Sequence, residues 1–384
     1  MPFTPGESAA ITRGESVAMA RAITLARRGE GWVEPNPMVG AVVIADDGTT
    51  LGEGWHKRFG GDHAEVMAIM AAGPAARGAT LCVSLEPCCH VGKTPPCTDA
   101  IIAAGLRRVV VAARDPSPHA DGAGLAKLAA AGIAVEVGLH EAEAVRLTAP
   151  FRTLVQHGRP WIIAKWAMSL DGKVATHSGE SRWISSETSR KIVHELRSRV
   201  DGIMIGVNTA IADDPLLTAR PPGPRTAVRI VLDSDARLTA DGRLVATARE
   251  VPVLVMVGRA ARDGDVRRLR DAGCEVFQCD GDDRQARLSL ALHELGRRRL
   301  TNVLVEGGMG LLGGLFDLRK VDEVWSFIAP KVIGGEDAFT PVGGRGVKEI
   351  AAAAEIDVEE TSFHGGDVLV RGLCRPKAST AIKG

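Results

Sequence analysis

The chain reads as an α/β protein in two domains, a prediction carried by its length, by the alternation of helical and strand periodicities, and by one clear break in that pattern. At 384 residues it exceeds what one hydrophobic core usually fills, so two domains of roughly 150 to 200 residues are expected. Its 45% hydrophobic content suffices for two cores. The first series opens with the helical-period stretch SVAMARAITLARRG, followed by the strands MVGAVVIA and TLCVSL. The helical TDAIIAAG then leads into the strand RRVVVAA. The second series runs PWIIAKWAMSL, DGIMIGV, AVRIVLD, VPVLVMV, CEVFQC, NVLVE and EVWSFIAP as strands, with DVRRLRDAG and RQARLSLALHELGRRR as helices between them. Such alternation predicts α/β layers with a largely parallel sheet. In VQHGRP, residues 155–160, a helical pattern ends in Gly158 and Pro160 before a new strand. The domains are therefore set at 1–155 and 156–384, with no long linker between them.

Charge narrows the function. The 47 basic and 47 acidic residues leave zero formal net charge, which removes the sequence-independent attraction behind nucleic-acid binding. Aromatic residues are 4% and Tyr is absent, so base-stacking platforms are scarce. A small-molecule substrate is expected, with no nucleic acid; a homo-oligomer is compatible with the sequence. The N-terminal MPFTPGESAAITRGES lacks the basic start and apolar core of a secretory signal. No apolar run approaches the roughly 18 residues of a membrane span. Seven cysteines, at 82, 88, 89, 97, 274, 279 and 374, are an odd number with four in one short stretch. This pattern points to a cytoplasmic protein with reduced thiols and a metal site rather than disulfides.

That stretch, LEPCCHVGKTPPC at 85–97, follows GDHAEVMAIM at 61–70. Read alone, the latter is a helix start with Asp62 as N-cap and Glu65 completing a capping box. Read together, His63-x-Glu65 with Pro-Cys88 and Cys97 is the signature of zinc-dependent deaminases. Residues two apart diverge by about 200° around a helix, so His63 and Glu65 share a site only at a loose first turn. One imidazole and two thiolates leave a fourth position for water, whose pKa falls toward about 7 on zinc. Glu65 then carries protons as a non-ligand acid and base. Cys89 could instead close a four-ligand structural site, although neighbours in extended chain point to opposite sides. His90 is a spare for the same reason.

At these residues the sequence resembles the bifunctional deaminase–reductase family of riboflavin biosynthesis. The shared motifs run in order through nearly the whole chain: PNPMVGAVV, GWHKRFGGDHAEV, LEPCCHVGKTPPC, RDPSPHADGAGL, KWAMSLDGKVAT, GESRWISS, TAIADDPLLTAR, RIVLDS, VEGGMGLLGGLF and APKVIGG. The resemblance implies a cytidine-deaminase-like α/β/α domain, then a dihydrofolate-reductase-like α/β domain, with zinc and NADPH as cofactors and a pyrimidine ribosyl phosphate as substrate. It implies His63, Cys88 and Cys97 as metal ligands, Glu65 as proton shuttle and Asn36 as a substrate contact, with His56 and Lys93 as weaker candidates. Cys89 departs from the Ser common at that position, and Val91 from an aromatic or His.

In the second domain a strand runs into Gly308-x-Gly310-x-x-Gly313 and then a helix, which lets backbone N–H groups approach a pyrophosphate. The acidic residue a Rossmann fingerprint wants about 20 positions on is missing, because Asp322 and Glu323 come early. The resemblance gives Ala167, Trp183, Thr209, Asp213, Ser234 and the loop Gly308, Met309, Gly310, Leu311, Leu312, Gly313 and Gly314 to NADPH. It gives Ser181, Arg197, Leu216, Arg220 and Glu306 to the substrate, and sets Lys165 and Asp171 in the active-site wall. Arg197 and Arg220 suit a sugar phosphate because a guanidinium fork matches phosphate oxygens; a salt bridge on a helix surface is the other reading. No arginine is assignable to the cofactor's 2′-phosphate. A nucleoside or tRNA deaminase with an unrelated C-terminal domain and a zinc-stabilised binding protein are the competing functions.

Overall fold

The computed structural model describes residues 10–92, 95–118, 120 and 122–375. The chain separates into two compact units, the break falling after Gly158.

The first unit contains α1 (Arg13–Ala26), β1 (Gly40–Ile44), β2 (Thr50–Trp55), α2 (Ala64–Ala72), β3 (Thr80–Leu85), α3 (Cys97–Ala103), β4 (Arg108–Ala113), α4 (Ala123–Ala130), β5 (Ala134–Val137), α5 (Glu141–Leu147) and α6 (Ala149–His157). Thr12 starts α1 with a full capping box, its hydroxyl accepting from Glu15 N–H and Glu15 accepting in return. The sheet order is β2-β1-β3-β4-β5. It is mixed rather than largely parallel: β1 pairs antiparallel with both β2 and β3, and only β3, β4 and β5 run parallel. Alternate strand residues feed two cores. Ala41, Val43, Leu81, Val83, Val109 and Val111 pack against α2, α3 and α4, while Val42, Ile44, Cys82, Val110 and Ala112 pack against α1 and α5. This is the period-2 signature of a sheet covered on both faces.

The second unit contains β6 (Trp161–Ser169), α7 (Glu187–Arg197), β7 (Gly202–Gly206), α8 (Val207–Asp213), β8 (Val228–Leu232), α9 (Arg243–Ala246), β9 (Val253–Gly258), α10 (Asp263–Asp271), β10 (Glu275–Cys279), α11 (Arg284–Arg297), β11 (Asn302–Val305), α12 (Met309–Asp317), β12 (Glu323–Ala329), β13 (Ile356–His364) and β14 (Asp367–Cys374). Its sheet order is β10-β9-β8-β7-β11-β6-β12-β14-β13. Strands β6 to β12 are parallel, and an antiparallel hairpin, β13 and β14, extends the edge beside β12. Because β11 inserts between β7 and β6, the connections reverse direction there, and a crevice opens at the carboxyl ends of the strands. Among the described residues no helix is long and apolar enough to cross a membrane.

Candidate active sites

In the first unit, two helix starts and the turn after β3 converge. His63 is the N-cap of α2 and makes no side-chain capping bond. The capping box expected from Asp62 and Glu65 does not form; the helix begins one residue later, which leaves the imidazole free to turn away from the helix axis. Glu65, in the first turn, is buried at 3% exposure. Beyond β3 the chain turns through Pro87 to Cys88, and Cys97 opens α3 behind Pro96. The Cys97 backbone N–H donates to Cys88 Sγ at 3.3 Å, so Cys88 sits where a helix start favours a thiolate.

His63 Nδ1 lies 3.1 Å from Cys97 Sγ and 3.6 Å from Cys88 Sγ, and the three ligand atoms all lie within 4.8 Å of one another. A tetrahedral zinc with bonds of about 2.0 Å to nitrogen and about 2.3 Å to sulfur spaces its ligand atoms roughly 3.5 to 3.8 Å apart, so the donor set fits. Hydrogen bonding between the sulfurs pulls the Cys88 thiol down and pushes that of Cys97 up. Such a pair holds one proton for a metal to displace. Burial raises the Glu65 carboxyl above its ordinary range. Cys89 and the exposed His90 are not in the cluster.

His56 is 3% exposed and its Nδ1 lies 3.0 Å from the Asp62 carbonyl oxygen. That oxygen can only accept, so Nδ1 carries the proton, and Nε2 faces Asn36 Nδ2 at 3.2 Å. His56 thus holds Asn36, and burial keeps its pKa below the usual range. Lys93 lies outside the described residues. Glu86, which the sequence did not single out, is buried beside the turn, with Asp115 N–H donating to it at 3.4 Å.

In the second unit a cavity of about 1490 Å³ runs across the carboxyl ends of β6 to β11. Its wall includes Ala167, Trp183, Thr209, Asp213, Ser234, Gly308, Met309, Gly310, Leu311 and Leu312, and also Ser181, Arg197, Leu216, Arg220 and Glu306. Gly313 and Gly314 are not in that wall. A Cβ on Gly313 would lie 2.2 Å from the Gly343 carbonyl carbon, so this glycine serves close packing of α12 rather than a ligand. Gly307 and Gly308 have φ of 135° and 87°, a left-handed region open to glycine that turns β11 into α12, whose first residues line the cavity.

Arg197 departs from a free phosphate clamp. Its Nε and Nη2 meet Glu306 at 2.5 and 2.7 Å, and Nη1 donates to Thr218 O, so the fork is already occupied. Burial alone would raise the Glu306 carboxyl, but Arg197 and Lys165 outweigh it and hold the pKa low. Burial lowers the Lys165 ammonium, with Glu306 opposing and Arg197 adding to the shift. Arg220 is exposed and its Nη2 lies 3.4 Å from His194 Nε2, which leaves it the freer cation. Lys165 lines the cavity, as does His194, which the sequence reading missed. Asp171 does not; its carboxylate accepts from Ser169, Gly334 and Ile333, contacts that hold it at about 2, and ties down the loop after β12.

A cysteine–histidine zinc site with a buried carboxyl, followed by a parallel-sheet cavity fit for a dinucleotide, defines a two-domain deaminase and reductase. Residues 13–113 match the model for the cytidine and deoxycytidylate deaminase zinc-binding region, and residues 160–369 match that for the RibD C-terminal domain. The riboflavin biosynthesis proteins RibD of Aquifex aeolicus and Actinobacillus pleuropneumoniae are 40% and 39% identical, each over 92% of this chain and over 96% and 93% of their own lengths. Acinetobacter baumannii RibD superposes with a TM-score of 0.84 at 32% identity, covering 95% of this chain and 99% of that one. A Thermotoga maritima structure titled as a diaminohydroxyphosphoribosylaminopyrimidine deaminase/5-amino-6-(5-phosphoribosylamino)uracil reductase gives 0.80 at 36%, covering 94% and 99%. The chain belongs to the RibD family. It is a bifunctional deaminase and reductase of riboflavin biosynthesis, with a zinc-binding, cytidine-deaminase-like domain and a dihydrofolate-reductase-like domain of the NADPH-dependent RibD type.

Proposed function

We propose that the first unit hydrolytically deaminates 2,5-diamino-6-ribosylamino-4(3H)-pyrimidinone 5′-phosphate and that the second reduces the ribosyl group of the product to ribityl, giving 5-amino-6-(5-phosphoribitylamino)uracil. The observation that carries this reading is the approach of His63, Cys88 and Cys97 beside a buried Glu65.

His63, Cys88 and Cys97 hold the zinc, and Asn36, fixed by His56, contacts the pyrimidine. Zinc, when bound, supplies a water acidified toward about 7 for attack on the amidine-like ring carbon. Glu65 takes one proton from that water and delivers it to the ring nitrogen; it then takes the second from the hydroxyl left on the attacked carbon and passes it to the amino group, which leaves as ammonia as the carbonyl forms. A desolvated carboxyl suits that work because its raised pKa lets it give the proton as readily as take it.

NADPH, if bound in the reductase cavity, would supply a hydride for C1 of the N-protonated open-chain imine of the ribose, which then becomes the secondary amine of the ribityl chain, and the protein would position both partners. Ala167, Trp183, Thr209, Asp213, Ser234 and the residues 308–312 hold the cofactor. Ser181, Leu216, Arg220 and Glu306 meet the substrate, with Arg197 acting through its pair with Glu306. We place these reactions in the cytoplasm, where the thiols a zinc site needs stay reduced, and on small molecules rather than nucleic acid.

The match of residues 160–369 to the RibD C-terminal domain weighs against a nucleoside or tRNA deaminase with an unrelated second domain. The test is a product assay on the purified protein with zinc, with and without NADPH. Deaminated product should accumulate without NADPH and ribityl product with it; an unchanged substrate in both sinks the reading.

A further inference from the structure

Arginines stand at both sides of the reductase cavity, and only Arg197 and Arg220 have so far been given work. The far side, across the carboxyl ends of β8 and β9, is walled by Ser234, Asp235, Arg237, Arg284 and Arg287. Three guanidiniums against one carboxylate leave that end strongly cationic. Arg237 gives one N–H to Asn208 Oδ1 at 2.6 Å and has no carboxylate partner among the described residues. Arg287 lies along Gly258, where a Cβ would sit 3.4 Å from Arg287 Cδ and 3.7 Å from Ser234 Cβ. Its Nη1 donates to Gly281 O at 3.3 Å, while its Nε is buried with no hydrogen-bond partner among the described residues. Arg287, from α11, therefore lies beside Ser234, and Arg237 follows Ser234 by three residues in the loop after β8, both in the wall of the same end of the cavity. Arg284 is placed differently: a Cβ on Gly310 would meet its Nη2 at 2.5 Å, so it lies over the first turn of α12. Between these cations the floor is apolar, formed by the buried Met256, Cys279, Leu288 and Ala291.

An apolar floor for a planar ring, edged by a hydroxyl and by two guanidiniums that have no carboxylate partner among the described residues, has the chemistry of a site for an adenosine that carries an extra phosphate on its ribose. We infer that Arg237 and Arg287 hold the 2′-phosphate of the cofactor and so set the preference for NADPH over NADH, while Arg284 serves the pyrophosphate common to both. This rests on the proposal that the cavity holds the dinucleotide. A guanidinium bonds a phosphate in a charge-assisted, two-pronged manner, and a bare 2′-hydroxyl offers nothing comparable.

Calorimetric titration of the full chain with adenosine 2′,5′-bisphosphate and with adenosine 5′-monophosphate isolates that one phosphate. The wild type should bind the bisphosphate more tightly. R237A and R287A should each weaken bisphosphate binding by about 10- to 100-fold, the loss expected of a charged hydrogen bond, and leave the monophosphate within about twofold. Retained monophosphate binding also shows that the variants fold. R284A should weaken both ligands alike, and KM for NADPH and NADH should follow the same pattern. If R237A and R287A reduce both ligands equally, or neither, the assignment is overturned. If the wild type binds neither the bisphosphate nor NADPH, it is the cofactor reading of the cavity that fails.

Discussion

Glu65 is a carboxyl almost wholly withdrawn from water beside two cysteine sulfurs. Replacing it by Gln keeps shape and hydrogen bonding but removes the proton carrier. Glu65→Gln should keep its zinc by elemental analysis and lose deamination by about 10²- to 10⁴-fold, the usual weight of a positioned acid or base. The cysteines make a sharper pair of tests. Cys97→Ser should lose both zinc and deamination, while Cys89→Ser, outside the cluster, should keep both; the reverse pattern would mean that the wrong thiols have been assigned. The His63, Glu65, Cys88 and Cys97 pattern was legible because ligand spacing is a property of residue types in order. The bond that occupies Arg197 was not, because Glu306 is 109 residues away.

Elements reach the site through close packing, and glycines mark where. Strand β2, TLGEGW, has no apolar run to announce it. Its inward positions are glycines because α2 lies on them: a Cβ on Gly54 would be 2.4 Å from Ala64 O, and one on Gly52 would be 2.3 Å from Ala68 O. That contact seats the first turn of α2, and with it His63 and Glu65. Gly124 in α4 does the same for the other side of the metal site, since a Cβ there would lie 2.2 Å from Pro87 O, next to Cys88. Gly124→Ala should displace the turn and weaken zinc by roughly 10- to 100-fold, as loss of support around metal ligands does. A competitive chelator titration measures it; unchanged affinity would show that α4 yields instead. Periodicity also missed β13, a mostly exposed edge strand without a buried alternation, and β14, a buried to half-buried strand between it and β12.

At the scale of the whole molecule, two sheets and separate cores carry two chemistries in one chain. Every wall residue of the reductase cavity belongs to the second unit, and all three candidate zinc ligands belong to the first. Removing the metal with a chelator should therefore abolish deamination while leaving NADPH oxidation with the deaminated product at the level of the untreated enzyme. A parallel loss of both activities would show that the reductase depends on the metal site. Zero formal net charge is consistent with this division: on the proposed assignment, phosphates would be met by local arginines in the cavity wall rather than by a charged exterior.

The sequence by itself determined the order of helices and strands through most of the chain, the candidate metal ligands, and the glycine turn before α12, because periodicity, donor type and the conformational freedom of glycine are local properties. Only the tertiary structure decided the mixed pairing of the first sheet, the occupation of Arg197 by Glu306, the packing role of Gly313, and the gathering of Arg237, Arg284 and Arg287 at one end of a cavity. Each of those depends on which distant segments lie side by side, and burial against a distant neighbour leaves no fixed spacing along the chain to read.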